Sequence, residues 1–169
     1  MRFLISRQMV IGALALFTAS AVDAQQLVPD GSSVRLPLAK GWKLETTDHV
    51  DGPWQVLTVE KKGLSTSGNV TVRWTPGQLK LDSVAMEIVS AYRRRSEVLD
   101  LNTGSAAFQE RSAFRADFKV FPIMPFLVDV RSFHACGKTF VFIVYVAQED
   151  AGKRQRDFQE IEAGFVCDE

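Results

Sequence analysis

The chain has 169 residues, with twenty basic and twenty acidic side chains and a formal net charge of zero. This length corresponds to one domain of ordinary size, large enough to bury a hydrophobic core. A balanced charge gives the chain as a whole no electrostatic reason to bind nucleic acid or an acidic membrane. We therefore expect no nucleic-acid partner.

The first 24 residues have the pattern of a cleavable secretory signal peptide. Arg2 and Arg7 precede an uncharged, mostly apolar stretch at residues 9–22, and Val-Asp-Ala at 22–24 places small residues at the positions that signal peptidase reads. The alternative, a membrane anchor, needs about 20 apolar residues, and this stretch is shorter. The sequence therefore predicts export to the periplasm, or secretion, of a soluble mature chain with a net charge of −1 and no membrane-spanning segment.

Residues 25–33 read as a flexible polar leader, so a single domain is predicted at 34–169. Within it, two-residue alternation of apolar and polar side chains predicts strands, and apolar side chains at three- and four-residue steps predict helices. In chain order, the prediction is strands at 42–47, 54–61 and 69–75, a helix at 82–99, strands at 105–111, 112–121, 126–134 and 139–147, and a helix at 151–163.

The strand predicted at 139–147 is apolar on both faces, so it should lie inside a sheet that is covered on both sides. Two amphipathic helices, one on each face, would supply that cover. Asp82 or Ser83 is the predicted N-cap of the first helix, and Asp150 that of the second. Short connections between strands indicate a mainly antiparallel sheet of about six to seven strands, and the fold class is therefore α+β.

Three segments carry a resemblance to a known fold. They are Leu-Pro-Leu-Ala-Lys-Gly-Trp at 36–42, the Leu-Asp-Ser helix start at 81–83, and the closing hairpin and helix at 126–165. In this order the chain resembles the PsbP-like fold, which the photosystem II extrinsic subunit P shares with the bacterial DcrB-like periplasmic proteins. The resemblance implies an α/β/α sandwich and binding or accessory roles outside the cytoplasm, without catalysis. It assigns no functional residue.

Cys136 and Cys167 are the only two cysteines, and we predict that they form a disulfide. The strand at 139–147 would carry the chain roughly 30 Å away from Cys136. The following helix would return it by roughly 20 Å, and an extended segment at 164–167 by roughly 10 Å more. The alternatives are reactive thiols or a metal site, but no Cys-x-x-Cys motif indicates redox catalysis.

No catalytic or metal constellation stands out in the sequence. No serine lies in a Gly-x-Ser-x-Gly motif, and His49 and His134 are the only histidines. His134 and Cys136 would make half of a metal site, but a disulfide would remove the cysteine. We therefore predict no enzyme activity, no metal and no cofactor, although folding could still bring two carboxylates together for acid–base chemistry.

The segment Phe-Pro-Ile-Met-Pro-Phe at 121–126 is the first candidate interaction site. Its two prolines stiffen the loop, and Ile123 and Met124 would offer apolar contacts to a partner. The alternative is that the loop is buried as part of the core.

Arg93, Arg94 and Arg95 form the second candidate interaction site, late in the first predicted helix. Basic side chains there would complement the helix dipole, and they would be able to reach Glu97. The alternatives are thus a solvated helix face and a surface for an anionic partner.

The predicted function is that of an exported periplasmic accessory protein that acts through protein–protein interaction, with another extracytoplasmic protein as its partner. A second hypothesis is a carrier of a small apolar ligand held between sheet and helix, which a large apolar cavity would favour. A third is an unrecognised hydrolase, which requires a cleft that holds His49 or His134 beside a serine or a carboxylate.

Overall fold

Seven strands form one antiparallel sheet in the part of the chain that the structure describes. The computed structural model describes residues 34–36, 42–51, 54–61, 68–122 and 124–167. Its elements are β1 (Val34–Arg35), β2 (Trp42–Asp51), β3 (Trp54–Lys61), β4 (Gly68–Pro76), α1 (Leu81–Arg93), β5 (Val98–Phe108), β6 (Arg111–Val120), β7 (Phe126–Ala135), β8 (Lys138–Ala147), α2 (Ala151–Ala163) and β9 (Val166–Cys167).

The strands of the large sheet lie in the order β2, β3, β4, β8, β7, β6, β5, and each neighbouring pair is antiparallel. The doubly apolar strand β8 is in the centre, as its sequence predicted. Its Phe140 and Phe142 pack on the α2 side, whereas Val141 and Ile143 pack on the α1 side. The α+β class with one helix on each face is therefore confirmed.

α1 covers one face of the sheet with a buried stripe. Val84, Ala85, Ile88 and Val89 pack against apolar side chains of β6, β7 and β8. At the end of the helix, the Tyr92 ring meets the Phe118 ring edge-on at 5.4 Å. Burial, reinforced by the neighbouring Tyr145, raises the pKa of Tyr92 to about 12, as expected for a phenol removed from water.

Three polar side chains from the sheet hold the segment that leads into α1. The buried Thr139 hydroxyl donates to the Gly77 carbonyl at 2.8 Å and accepts from the Leu79 amide at 2.9 Å. The buried Ser132 hydroxyl donates to the Leu81 carbonyl at 2.7 Å, and His134 Nε2 lies 2.9 Å from the Leu79 carbonyl. Side chains of β7 and β8 therefore fix where α1 begins.

An aromatic cluster fills the other face, beneath α2. The rings of Phe108 and Phe133 stack with centroids 3.9 Å apart, and Phe165 meets both edge-on at 5.4–5.6 Å. Phe165 follows directly after α2, and Ile161 and Phe158 of the helix pack on the same cluster. The inner face predicted for the last helix is therefore correct.

The last described residues lie beside the turn between β7 and β8. Cys136 and Gly137 both have positive φ, 48° and 66°, and form the two-residue hairpin turn. A disulfide joins Cys136 to Cys167, as the sequence predicted. β9 also pairs with β1, with Val34 opposite Cys167.

The predicted end of the first helix was wrong. α1 ends at Arg93, and β5 begins at Val98, so residues 98–99 belong to a strand. Arg94 is the C-cap and Arg95 lies in the following turn, rather than within a helix. The prediction extended the helix to residue 99 because Leu99 fits the spacing of its apolar stripe. In the structure Leu99 is 40% exposed and is part of the edge strand β5.

Other element boundaries also differ from the prediction. Lys80, not Asp82 or Ser83, occupies the N-cap of α1, and Asp82 lies in its first turn. Asp150 is the N-cap of α2 but makes no side-chain capping hydrogen bond. β5 and β6 are joined by the two residues 109–110, a tight connection that the sequence did not indicate.

The predicted signal peptide at 1–24 and leader at 25–33 lie outside the described residues, as does Ile123. Among the residues that are described, no helix is both long enough and apolar enough to cross a membrane.

Candidate functional site

An open groove of about 740 Å³ runs between α2 and the face formed by β5, β6, β7 and β8. At the start of α2 it is lined by Ala151 and Gly152. Alanine has only a methyl group and glycine has no side chain, so both leave space above the sheet. A Cβ added at Gly152 would meet nothing within 4 Å. An apolar strip runs along β8 and the start of β7, with Phe158 of α2 opposite. Its sheet residues are Leu127, Phe142, Val144 and Val146.

The rest of the groove is lined by charged side chains. Its cations are Arg115, Lys119 and Arg131, and its carboxylates are Asp100, Asp117, Asp129 and Glu162. With three cations and four carboxylates, the lining has a net charge of −1. The groove is therefore amphipathic, apolar along β8 and ionic along β5, β6 and β7.

These charges form a connected network that ties α2 to the sheet. Arg131 Nη1 lies 2.6 Å from Glu162 Oε1, and Arg131 Nη2 lies 3.3 Å from Asp129 Oδ2. Arg115 Nη2 reaches the same Asp129 oxygen at 3.0 Å. At the outer edge, Lys119 Nζ lies 2.7 Å from Asp100 Oδ2. Asp129 thus connects the two arginines, and Arg131 connects β7 to the helix.

The register of β6 and β7 places like charges directly opposite each other. Arg115 pairs across the strands with Arg131, and Asp117 with Asp129. Directly opposed like charges destabilise a sheet, and the diagonal ion pair of Arg115 with Asp129 offsets this cost. Arg115 also lies 3.4 Å from Asp117, and Arg131 lies 3.3 Å from Asp129, so both arginines have carboxylate partners on these two strands.

Glu162 is the carboxylate of the network whose pKa is clearly shifted. Its side chain is 23% exposed, and burial raises the pKa of its carboxyl although Arg131 opposes the change. Burial also acts against the charge of Arg131, but Asp129 and Glu162 outweigh it and raise the pKa of the guanidinium. The charged pair is thus maintained by mutual attraction against a desolvation cost.

We expect Arg131→Gln to destabilise the protein more at pH 7 than at pH 4. The folded-state pKa of Glu162 is raised, so its contribution to stability is present at low pH and is lost as the pH rises through that pKa. Without Arg131 the pKa rises further, and the ionised carboxylate at neutral pH loses its nearest cation. Urea unfolding of both proteins at the two pH values measures the difference.

Arg156→Gln is the matched control, because Arg156 pairs at 2.9 Å with Glu160 on an exposed part of α2. Exposed pairs contribute at most about 1 kcal/mol, so this variant should show little pH dependence. An equal loss of stability at pH 4 and pH 7 in Arg131→Gln would contradict the coupling.

The structure does not bring the predicted candidate residues into the groove. His134 bonds the chain before α1, and the side chain of His49 lies outside the described residues. Within the described residues, no cluster of three or more His, Cys, Asp or Glu side chains could hold a metal ion. Arg93, Arg94 and Arg95 are exposed at the end of α1, and Met124 is 44% exposed on the loop after β6.

The groove residues were missed because each strand, taken alone, looked half-solvated. Alternation of apolar and charged side chains in β6 and β7 is the ordinary pattern of a strand with one solvent-exposed face. The signal that the sequence did contain was the composition of α2, which begins with Ala151 and Gly152 and carries Gln155 and Gln159 on its groove side.

Comparison with known proteins gives similarity at the level of fold. No protein-family model matches the chain, and no curated protein sequence does. The cyanobacterial PsbP protein CyanoP of Synechocystis sp. PCC 6803 aligns with a TM-score of 0.60 at 11% identity, over 89% of this chain and 96% of that one.

Two further solved structures align over most of their length. LpqN of Mycobacterium tuberculosis, described as involved in cell envelope biogenesis, has a TM-score of 0.53 at 11% identity and covers 82% of this chain and 86% of its own. PA94 of Pseudomonas aeruginosa, a protein of unknown function, has a TM-score of 0.51 at 10% identity over 80% and 92%. The chain therefore has the PsbP-like fold that its sequence predicted.

Proposed function

We propose that this is an exported accessory protein of the cell envelope that binds a segment of another extracytoplasmic protein in the groove between α2 and the sheet, without catalysing a reaction. The observation that carries the proposal is the groove itself, which combines an apolar strip with an ordered ionic lining. Its volume of about 740 Å³ is within the range of ligand-binding sites, about 300–1,000 Å³.

A polypeptide segment suits this lining better than a small apolar molecule. Along β6, Arg115, Asp117 and Lys119 present alternating donors and acceptors about 7 Å apart, since alternate residues of a strand share a face. A polypeptide offers amides, carbonyls and polar side chains along its length, and an apolar side chain for the strip along β8. A purely apolar ligand would displace water from the seven charged groups beside it and offer them no hydrogen bond in return, which is costly.

The hydrolase hypothesis draws no support from the groove. Acid–base catalysis requires a titrating group with a free lone pair or proton near the reacting atom. The Asp129 and Glu162 carboxylates are instead engaged by Arg115 and Arg131. His134 Nε2 lies 2.9 Å from the Leu79 carbonyl, and His134 does not line the groove.

Three observations support the extracytoplasmic part of the proposal. The signal-like pattern at residues 1–24 predicts export. Disulfides such as Cys136–Cys167 persist in oxidising compartments. LpqN, which shares the fold, is described as an envelope biogenesis protein.

Site-specific photo-crosslinking in cells tests the proposal. A crosslinking amino acid at Gln155, which lines the groove, should capture a discrete protein partner. The same residue at Lys153, which is also exposed on α2 but does not line the groove, is the matched control. We expect a protein adduct from position 155. The yield of the same adduct from position 153 should be at least about tenfold lower.

Filling the groove gives a second, independent readout. Gly152→Trp should abolish the Gln155 adduct because the new side chain would occupy open space in the groove, whereas Lys153→Trp should not. Equal adducts from both positions, or an adduct that persists in Gly152→Trp, would exclude the groove as the binding site.

A further inference from the structure

A second surface lies at the end of the sheet where β6 stops and β7 begins. The loop between these strands exposes Phe121 by 41% and Met124 by 44% of their surface. Arg93, Arg94 and Arg95 are all exposed where α1 ends. We call this set of five residues the tip patch.

The topology brings both halves of the tip patch to the same end of the molecule. The Tyr92 ring lies 5.4 Å from that of Phe118, so α1 ends above the last residues of β6. The chain then continues through the arginines into β5, whose Val98 pairs with Val120, the residue before Phe121. The loop is fixed from the other side by the Gln148 amide, which donates to the Pro125 carbonyl at 3.0 Å.

We propose that the tip patch docks the protein onto an anionic phospholipid surface. The arginines would pair with headgroup phosphates, while Phe121 and Met124 would enter the boundary between headgroups and acyl chains. Basic side chains next to exposed apolar ones are the combination that supports interfacial membrane binding. Pro122 stiffens the loop, so the two apolar side chains lose little entropy when they insert.

The neutral net charge of the whole chain does not oppose this docking. At physiological ionic strength, charges more than about 8 Å from a surface are largely screened. Only the end that faces the lipid matters. There the three consecutive arginines and Lys153 outnumber the nearby Glu97, Glu149 and Asp150, and Lys153 lies 3.5 Å from Asp150. The expectation of no acidic-membrane binding came from the charge averaged over the whole chain, whereas the local run of arginines had been identified as a candidate surface for an anionic partner.

A lipid surface fits the tip patch better than a second protein does. A stable protein interface buries about 800 Å² on each partner. The tip patch offers two exposed apolar side chains on one short loop, which is a small area for such an interface. A bilayer needs only shallow penetration by the end of a molecule, and it supplies phosphates at high density for the arginines.

The test is sedimentation of the oxidised mature protein with vesicles of phosphatidylcholine, alone or mixed with phosphatidylglycerol. We expect binding to the mixed vesicles that weakens with salt, and little binding to phosphatidylcholine alone. The double variant Arg94→Glu/Arg95→Glu should lower the partition coefficient by about 25-fold or more, as expected for two basic residues at a lipid surface. Phe121→Ser/Met124→Ser should lower it by about tenfold.

Lys80→Glu/Lys138→Glu is the matched control, because these residues lie at the opposite end of α1 and of the sheet. It reverses two charges equally and should change binding by less than about twofold. Equal losses in the two charge-reversal variants would overturn the proposal. So would binding to polyglutamate without binding to vesicles, which would indicate an acidic protein partner instead.

Discussion

Replacing Cys136 and Cys167 together by serine is expected to lower the free energy of unfolding by about 3–4 kcal/mol. The bond joins residues 31 positions apart, so its loss frees a long loop in the unfolded chain. It also removes the covalent connection between the β7–β8 turn and the end of the chain, where β9 pairs with only two residues of β1. Urea unfolding of the oxidised protein and the double serine variant measures the difference.

Reduction of the unmodified protein is the control for the serine substitutions. The reduced protein and the double variant should unfold at the same urea concentration, because both lack only the bond. Mass spectrometry after alkylation should find no free thiol in the oxidised protein and two after reduction. A free thiol in the oxidised, folded protein would contradict the chain path that brings Cys167 to Cys136.

Phe165→Ala is expected to cost about 3–5 kcal/mol, the range for a large buried aromatic side chain. Phe165 is 2% exposed, and its ring meets those of Phe108, Phe133 and Phe140 edge-on at 5.1–5.6 Å. It follows directly after α2, so its loss should also loosen the helix that forms one wall of the groove. Chemical unfolding gives the first quantity, and hydrogen exchange of the α2 amides gives the second.

Phe121→Ala is the matched control for Phe165→Ala, because it deletes the same side chain at a site that is 41% exposed. Its effect on stability should stay within about 0.5 kcal/mol, as is usual for surface substitutions. If Phe165→Ala were equally mild, or if α2 amides kept their protection, the aromatic cluster would not be what holds the helix to the sheet.

The sequence was sufficient to predict those elements whose patterns reflect burial. β8 is apolar on both faces because it lies at the centre of the sheet between two helices. α2 has the predicted bounds, since its apolar residues point to one cluster and Gly164 stops it. The disulfide followed from strand and helix lengths alone, because an antiparallel return of known rise brings the two cysteines together.

Edge elements were harder to predict because burial constrains their sequences weakly. β5 is an edge strand, and its first half exposes Leu99, Asp100 and Asn102. A bulge between Leu99 and Asn102, with Asp100 at a φ of 52°, also breaks the two-residue alternation. The same residues therefore fitted a helical stripe about as well. β1 and β9 have two residues each, too few for any pattern.

The groove depends on information that no single segment of sequence contains. Arg115 and Asp129 lie on different strands, and only the register of β6 and β7 places them diagonally across from each other. Glu162 becomes part of the ionic lining because α2 crosses this part of the sheet. Sequence analysis found a polar face on each element, and the packing of the elements converts those faces into one site.

The two proposed surfaces use different residues but lie at the same end of the sheet. The groove residues Lys119 and Leu127 are two and three residues from Phe121 and Met124 of the tip patch. The Gln148 amide, just before α2, donates to the Pro125 carbonyl of the same loop at 3.0 Å. A membrane bound at the tip patch would therefore lie close to a partner held in the groove.

The most direct test is to titrate the isotope-labelled mature protein with a synthetic peptide that contains the segment captured from Gln155, and to follow its amide resonances. We predict shifts concentrated at groove residues such as Asn102, Asp117 and Val144, with saturation and with loss of binding in Gly152→Trp. Shifts confined to residues outside the groove, or unchanged binding in Gly152→Trp, would show that this protein does not use the groove to bind its partner.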